Sequence, residues 1–167
     1  QGADFALIEG NKGLFDGLDL QGDDSNAALA GLLGAPIVLV IDTRGMTRGI
    51  APVVLGYQAF DEKLTIAGVI LNQVGGPRHE GKLRAAVEHY TDVPVLGAIG
   101  RHGEMEILER HLGLTPTNES EQADAIINDI ARIITDGVDL GALQDAARPA
   151  LLPAPATAPP SLPKPDI

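Results

Sequence analysis

The stretch Ile37-Val38-Leu39-Val40-Ile41, which runs directly into Asp42, decides the fold. Five consecutive residues that are β-branched or Leu predict a strand buried on both faces, as in a parallel sheet. Two further apolar runs, at 66–71 and 93–99, have the same character. Apolar residues at helical spacing predict helices at 25–33, 50–60, 81–90, 104–112 and 119–135. The chain is therefore predicted to be an α/β protein with a mostly parallel sheet and helices on both faces.

The two ends of the sequence differ in kind. Phe5-Ala6-Leu7-Ile8 is apolar and ends on Glu9, so residues 5–9 predict another buried strand. Because the chain starts at Gln1 with that pattern already under way, we expect it to be a piece of a longer polypeptide. Seven of the twelve prolines lie in residues 149–167, where missing amide donors disfavour helix and sheet. We predict a folded domain at 1–145 and a Pro/Ala-rich interdomain linker at 146–167.

Composition excludes several classes of function. The net charge of −11 at pH 7 argues against a partner that presents a phosphate backbone, so no nucleic acid is expected. The absence of cysteine excludes disulfides, a thiolate metal site and a cysteine nucleophile. No apolar run is long enough to span a membrane, so no membrane partner is expected. We predict a cytoplasmic protein.

Ligands of parallel sheets bind at the carboxyl ends of the strands. The first such end reads Glu9-Gly10-Asn11-Lys12-Gly13-Leu14-Phe15-Asp16-Gly17. Its three glycines allow a ligand to approach the backbone closely. Glu9 would be well placed to hold Mg²⁺ together with nucleotide phosphates. The alternative is a Gly-rich turn that carries two solvated acids.

The other strand ends carry further polar residues. Asp42 and Arg44 follow the second strand, and an arginine there could pair with phosphates or with substrate carboxylates. The alternative is a capped helix start with surface arginines. Asn72 ends the third strand and offers a donor and an acceptor that suit a purine edge, although Asn is also common in turns. Gly97 begins the last strand end that we consider for nucleotide binding.

One stretch imitates a phosphate-binding loop. Residues 76–83 nearly fit G-x-x-x-x-G-K-[ST]. However, Leu83 replaces the hydroxyl that would hold Mg²⁺, and Pro77 removes a backbone N–H. We therefore predict that Lys82 is a solvated helix residue. The four histidines show no paired ligand spacing, so no transition-metal site is expected.

Taken in order, these motifs resemble the cobyrinic acid a,c-diamide synthase family. The signature Glu-Gly-x-x-Gly-Leu-Phe/Tyr-Asp-Gly of that family matches residues 9–17. The match continues through five more segments: 35–42, 68–75, Arg78-His79, 95–97 and 109–114. The resemblance covers roughly residues 4–143. It implies an incomplete amidoligase domain of the dethiobiotin-synthetase-like P-loop class, without its phosphate loop and its glutaminase domain.

The resemblance also implies a chemistry. Such enzymes use ATP and Mg²⁺ to phosphorylate side-chain carboxylates a and c of cobyrinic or hydrogenobyrinic acid, a tetrapyrrole, in cobalamin biosynthesis. Ammonia, released from glutamine in a glutaminase domain, then gives the amide. Carried over, Glu9 would assist Mg²⁺, Asp16 would lie near the reacting carboxylate, and Asn72 would contact adenine. We assign three candidate substrate-binding residues: Lys12, Asp42 and Arg44.

Two alternatives remain open. Asn11-Lys12 replaces the apolar pair common in the corrin enzymes, and proteins that look like this act on siroheme, so siroheme is an alternative substrate. A partition-type P-loop ATPase would share the fold, although the pI of about 4.6 disfavours the DNA-binding surface common in that class. A homodimer is left open.

Overall fold

The computed structural model describes residues 5–101 and 120–148. Its elements in chain order are α1 Asn26–Leu33, β1 Ile37–Asp42, α2 Ile50–Phe60, β2 Ile66–Val74, α3 Pro77–Tyr90, β3 Val95–Gly100, α4 Ser120–Gly137 and α5 Leu140–Ala147. The three strands pair in parallel in the order β1-β2-β3. The α/β class predicted from the sequence is confirmed, and all three strands of the sheet fall on the apolar runs at 37–41, 66–71 and 93–99.

The main core fills the space between the sheet and helices α2 and α3. Its fully buried side chains come from all of these elements: Ile50, Val54, Val69, Leu71, Leu83 and Val87. Branched aliphatic residues supply the packing here because the chain contains almost no aromatic residues. Burying each such side chain stabilises the fold by about 1.5–3 kcal/mol.

The opposite face of the sheet is covered at β3. Neighbouring residues of a strand point to opposite faces, so Gly68 faces away from the core that holds Val69. Leu96 packs over Gly68, and Ile99 packs beside Gly137 at the end of α4. Helices α4 and α5 both contact β3. The predicted cover of helices on both faces is confirmed, whereas Val40 of β1 is 64% exposed.

The strand predicted at residues 5–9 is wrong. These residues form no helix or strand, and Leu7 and Ile8 are 80% and 57% exposed. An apolar sequence becomes a strand only when a neighbour accepts and donates its backbone hydrogen bonds. Within the residues that the structure describes, no strand pairs with the outer edge of β1.

Several boundaries differ from the predictions. Helix α3 begins at Pro77 and not at residue 81, because proline is well tolerated in the first turn of a helix. The imitation phosphate loop therefore lies inside this helix, and Lys82 is an exposed helix residue, as predicted. Helix α5 was not predicted, and it ends two residues beyond the predicted boundary at 145. The predicted helix at 104–112 and residues 149–167 of the predicted linker lie outside the described residues.

Candidate functional site

The carboxyl ends of β1 and β2 lie side by side. Asp42 and Asn72 are register partners in the parallel ladder. Thr43, which is fully buried, donates its backbone N–H to the Asn72 carbonyl oxygen at 2.9 Å and its hydroxyl to the same oxygen at 2.8 Å. These two hydrogen bonds to the same carbonyl oxygen hold the ends of β1 and β2 together. Two of the candidate site residues, Asp42 and Asn72, are thereby brought together, and their roles stay predictions.

Asp42 and Arg44 form a closed ion pair. The Asp42 carboxylate accepts the Arg44 backbone N–H at 3.0 Å, and the Arg44 Nη2 lies 2.6 Å from Asp42 Oδ2. The Arg44 guanidinium and then its backbone N–H hold the pKa of Asp42 below its usual value, with a further contribution from Arg101. The same contact raises the pKa of Arg44. In this arrangement Arg44 neutralises Asp42, and an incoming anion would have to compete with that carboxylate.

Asn72 keeps one side of its amide available. Its Oδ1 accepts the backbone N–H of Gln73 at 2.9 Å, while its Nδ2 makes no hydrogen bond to any described residue. Gln73 has a φ of 60°, in the left-handed region that residues other than glycine rarely adopt. Its carbonyl oxygen accepts a hydrogen bond from Arg101 Nε at 3.3 Å. The strand end is thus shaped by a strained residue, and strain of this kind concentrates at functional sites.

His79 joins the loops that follow β1 and β2. Its Nδ1 accepts the backbone N–H of Gly75 at 2.9 Å, and its Nε2 lies 2.6 Å from the carbonyl oxygen of Met46. The neutral tautomer with hydrogen on Nε2 satisfies both contacts. Sequence reasoning singled out His79 only as part of a family motif, and it missed Thr43, Gln73 and Arg101 as site residues. No local pattern marks these residues, because their contacts cross from one strand to the next.

The Gly-rich loop at 9–17 is held by Asp24. The Asp24 carboxylate accepts the backbone N–H of Leu18 at 2.8 Å and contacts Lys12 Nζ at 3.2 Å. The Leu18 N–H and then the Lys12 side chain lower the pKa of Asp24. Glu9 is exposed and accepts no hydrogen bond from any described residue. Its carboxylate is therefore available to a cation, whereas Lys12, a predicted substrate ligand, is engaged within the loop.

Phe15 fixes where this loop lies. Its ring stacks on Tyr57 at a centroid distance of 5.8 Å and contacts Phe60 at 4.5 Å. Both partners belong to the C-terminal half of α2, the half that leads to the start of β2. Asp16, the neighbour of Phe15, therefore lies near the C-terminal half of α2. The described contacts do not bring Glu9 or Asp16 to Asp42 and Asn72, and the roles of these acids stay predictions.

Gly97 lies in the middle of β3 against another piece of backbone. An added Cβ would come within 2.8 Å of the Gly137 carbonyl oxygen and 2.9 Å of Val138 Cα. Gly97 also forms an isolated antiparallel bridge with Val138. This close approach explains the glycine through packing, and the predicted contact of Gly97 with a nucleotide stays a prediction.

Two properties of the described residues bear on metals and membranes. Across residues 5–101 and 120–148, no three side chains of His, Cys, Asp or Glu are grouped as metal ligands would be. Within these residues Glu9 is not part of such a group. Among the helices of the same residues, none combines the length and apolar character needed to cross a lipid bilayer.

A parallel α/β sheet with polar residues at its carboxyl edge is the architecture of nucleotide-binding domains. Consistent with this, a family described as AAA domain matches residues 1–106. The chain belongs to this AAA domain family.

The chain is also similar to curated corrin enzymes. It is 49% identical over 156 residues to the cobyrinate a,c-diamide synthase of Magnetococcus marinus, which covers 92% of the chain and 33% of that protein. It is 45% identical over 149 residues to the hydrogenobyrinate a,c-diamide synthase of Thermobifida fusca, covering 89% and 31%. For the cobyrinate a,c-diamide synthase of Methanosarcina acetivorans the identity is 45% over 146 residues, covering 83% and 29%. The chain thus spans about a third of the length of these relatives. No solved structure was found to match it.

Proposed function

We propose that the chain is part of an amidoligase that uses ATP and glutamine to amidate side-chain carboxylates a and c of cobyrinic or hydrogenobyrinic acid in cobalamin biosynthesis. One observation carries the proposal: identity of 45–49% to synthases named for this reaction extends over 83–92% of the chain. The matched regions include both strand ends that carry polar residues. The carbon–nitrogen ligase activity belongs to the whole enzyme, and this chain contributes part of its nucleotide-binding domain.

The residues of the chain suit ATP and Mg²⁺ in part. Mg²⁺ in nucleotide enzymes is usually held by one or two carboxylates together with substrate phosphates, and the exposed Glu9 carboxylate could serve as one of these. The Asn72 Nδ2 could donate to a ring nitrogen of adenine, because Asn72 Oδ1 is already occupied by Gln73. We assign no further Mg²⁺ ligand.

The proposed chemistry needs positioning more than reactive side chains. ATP supplies the phosphoryl group that converts a substrate carboxylate into an acyl phosphate, with ADP as the leaving group. Ammonia from the glutaminase domain then attacks the acyl carbon, and phosphate departs. In such transfers the protein contributes orientation and charge stabilisation. Asp16 would orient the substrate carboxylate, and Lys12 and Arg44 could bind other carboxylates only after releasing Asp24 and Asp42.

A chimera tests this proposal. In the Magnetococcus marinus synthase, the segment that matches this chain would be replaced by this chain, at 49% identity. The purified chimera receives ATP, Mg²⁺, glutamine and either cobyrinic acid, hydrogenobyrinic acid or siroheme, and amides are counted by mass spectrometry. We expect two amides on the corrinoid substrates and none on siroheme.

The controls separate failure of folding from failure of function. The chimera must show the circular dichroism and the thermal unfolding transition of the parent synthase. A matched variant, Glu9→Gln in the chimera, should lose amidation while keeping the fold. If a folded chimera amidates only siroheme, the substrate is siroheme and not a corrinoid. If a folded chimera amidates none of the three, the proposal is contradicted.

A further inference from the structure

A cleft opens at the start of α3, next to the loop after β1. It is a shallow cleft of about 390 Å³ that is open to solvent and lined by Thr47, Gly75, Arg78, His79 and Lys82. The cleft lies at the carboxyl edge of the sheet, where ligands of this architecture bind. None of the roles assigned above uses Thr47, Arg78 or Lys82.

The cleft has a cationic lining. Arg78 and Lys82 lie four residues apart on α3 and therefore on the same face of the helix. Within the described residues neither side chain forms an ion pair. The acid nearest to them in the helix, Glu80, is bound by Arg84 Nε at 2.7 Å. Among the residues that the structure describes, no carboxylate lines the cleft, so the two cations there are available to a ligand.

His79 forms a fixed wall of this cleft. Both of its ring nitrogens are engaged, with the Gly75 N–H at 2.9 Å and the Met46 carbonyl oxygen at 2.6 Å. These bonds hold the start of α3 against the loop that carries Thr47. The backbone of the loop that carries Thr47 is therefore held next to the start of α3 by contacts within the chain, before any ligand arrives.

We propose that Arg78, Lys82 and the hydroxyl of Thr47 bind an oxyanion, either a carboxylate or a phosphate. The chain as a whole carries a net charge of −11, and the cations of this cleft supply a local positive charge that attracts anions. An arginine presents a fork of donors that fits two oxygens of one anion, and a lysine adds a point charge. The proposal relies on the proposed function only for the source of the anion, which is a substrate carboxylate that is not being amidated or a nucleotide phosphate.

The test is an anion titration of the full 167-residue chain, monitored by the amide resonances of Gly75, Arg78 and Lys82. Tricarballylate is the carboxylate probe and ATP without metal is the phosphate probe. The variant Arg78→Ala/Lys82→Ala removes both cations of the cleft. The matched control Lys63→Ala/Arg132→Ala removes the same charge from two exposed positions away from the cleft. We expect the first variant to bind about tenfold more weakly, the size expected for two partly exposed charge contacts.

The outcomes distinguish the sources. Saturable shifts with tricarballylate alone assign the cleft to a carboxylate, shifts with ATP alone assign it to a phosphate, and shifts with both show that it accepts either. If neither probe causes saturable shifts, the proposal is wrong. It is also wrong if Lys63→Ala/Arg132→Ala weakens anion binding as much as Arg78→Ala/Lys82→Ala does. Unchanged amide resonances of β2 and β3 verify that the variants fold. The titration measures anion binding and not amidation. A negative titration therefore does not contradict the proposed function, which the chimera tests separately.

Discussion

The carboxyl end of the sheet and the Gly-rich loop differ in how they are built. At the sheet end, Thr43 bonds to Asn72 across 29 residues and His79 bonds to Met46 across 33. The side chains behind that end, such as Leu71, are fully buried. Directly after the loop, Leu18 and Leu20 are 95% and 96% exposed, and Asp24 accepts hydrogen bonds from Lys12 inside the loop and from the Leu18 N–H that follows it.

This difference separates two kinds of site residue. Residues at the sheet end are held by the fold itself, so their relative positions are a property of this chain. Glu9 and Asp16 sit on a loop that is attached to the rest of the fold by Phe15 against α2 and by Leu14, which packs against the core and accepts the Ala27 N–H. We therefore expect substitutions at the sheet end to change stability, and substitutions in the loop to leave stability nearly unchanged.

A leucine at the sheet end and a leucine just after the Gly-rich loop should contribute very different amounts to the free energy of unfolding. Leu71→Ala should lower the free energy of unfolding by about 2–5 kcal/mol, because it removes fully buried methyl groups and leaves a cavity. Leu20→Ala, at a side chain that is 96% exposed, should change it by less than about 0.5 kcal/mol. Urea unfolding followed by circular dichroism measures both. A comparable loss for the two variants would refute the contrast.

Glycines allow a second comparison. Gly97→Ala places a methyl group against the backbone of Gly137 and Val138, which cannot move aside easily, and should cost about 1–3 kcal/mol. In Gly13→Ala the new methyl group meets the Asp16 carboxylate, the end of an exposed side chain that can rotate away. This variant should cost less than about 0.5 kcal/mol. Thermal unfolding checks the order, and a larger loss for Gly13→Ala would contradict it.

A smaller effect is expected from the hydroxyl of Thr43. Thr43→Val keeps the shape of the side chain and the backbone bond to Asn72 but removes the 2.8 Å side-chain bond, so it should cost about 1 kcal/mol. Thr65→Val changes the same groups at an exposed position and serves as the control. Equal unfolding midpoints in urea for Thr43→Val and the parent chain would mean that the hydroxyl does not hold the strand ends together.

The smallest effect concerns the dependence of stability on pH. The pKa of Asp24 is lower in the folded chain than its ordinary value, mainly through the Leu18 N–H and then through Lys12. Its contribution to stability is therefore present above about pH 4 and is lost as the pH falls through the lowered folded pKa. In Asp24→Asn, the loss of unfolding free energy on acidification should be smaller than in the parent chain.

Salt separates the two causes at Asp24. High salt screens the charge of Lys12 but leaves the hydrogen bond from the Leu18 N–H largely intact. Asp24→Asn and the parent chain differ in how much unfolding free energy they lose on acidification. Most of that difference should therefore persist at about 1 M NaCl. If the difference disappears completely in high salt, the charge of Lys12 alone lowers the pKa of Asp24, and the hydrogen bond from the Leu18 N–H does not contribute.

Much of the fold follows from local patterns. The strand at 37–41 was predictable because an unbroken apolar run has few other solutions, and helix α2 was predicted with the bounds that the structure shows. Residues 5–9 have a similar apolar character and yet form no strand, because pairing depends on a neighbour that local sequence cannot supply. Helix α3 begins earlier than predicted because a proline was interpreted as part of a loop.

The candidate site was predictable only where a strand end marks it. Asp42 and Asn72 follow apolar runs, so position alone brought them to notice. Thr43, Gln73 and His79 act through bonds to residues that are distant in sequence or through an unusual φ, and composition and spacing carry no sign of either. Gly97 shows the converse: a residue interpreted as part of a nucleotide site has a sufficient reason in packing.

We propose that this domain helps to activate a substrate carboxylate by phosphorylating it. The most direct test supplies the chimera with cobyrinic acid whose carboxylates carry a heavy oxygen isotope, together with ATP, Mg²⁺ and glutamine. An acyl-phosphate route transfers one carboxylate oxygen to the released phosphate, so we predict one heavy oxygen in inorganic phosphate for each amide formed. Amide formation with unlabelled phosphate would contradict the account.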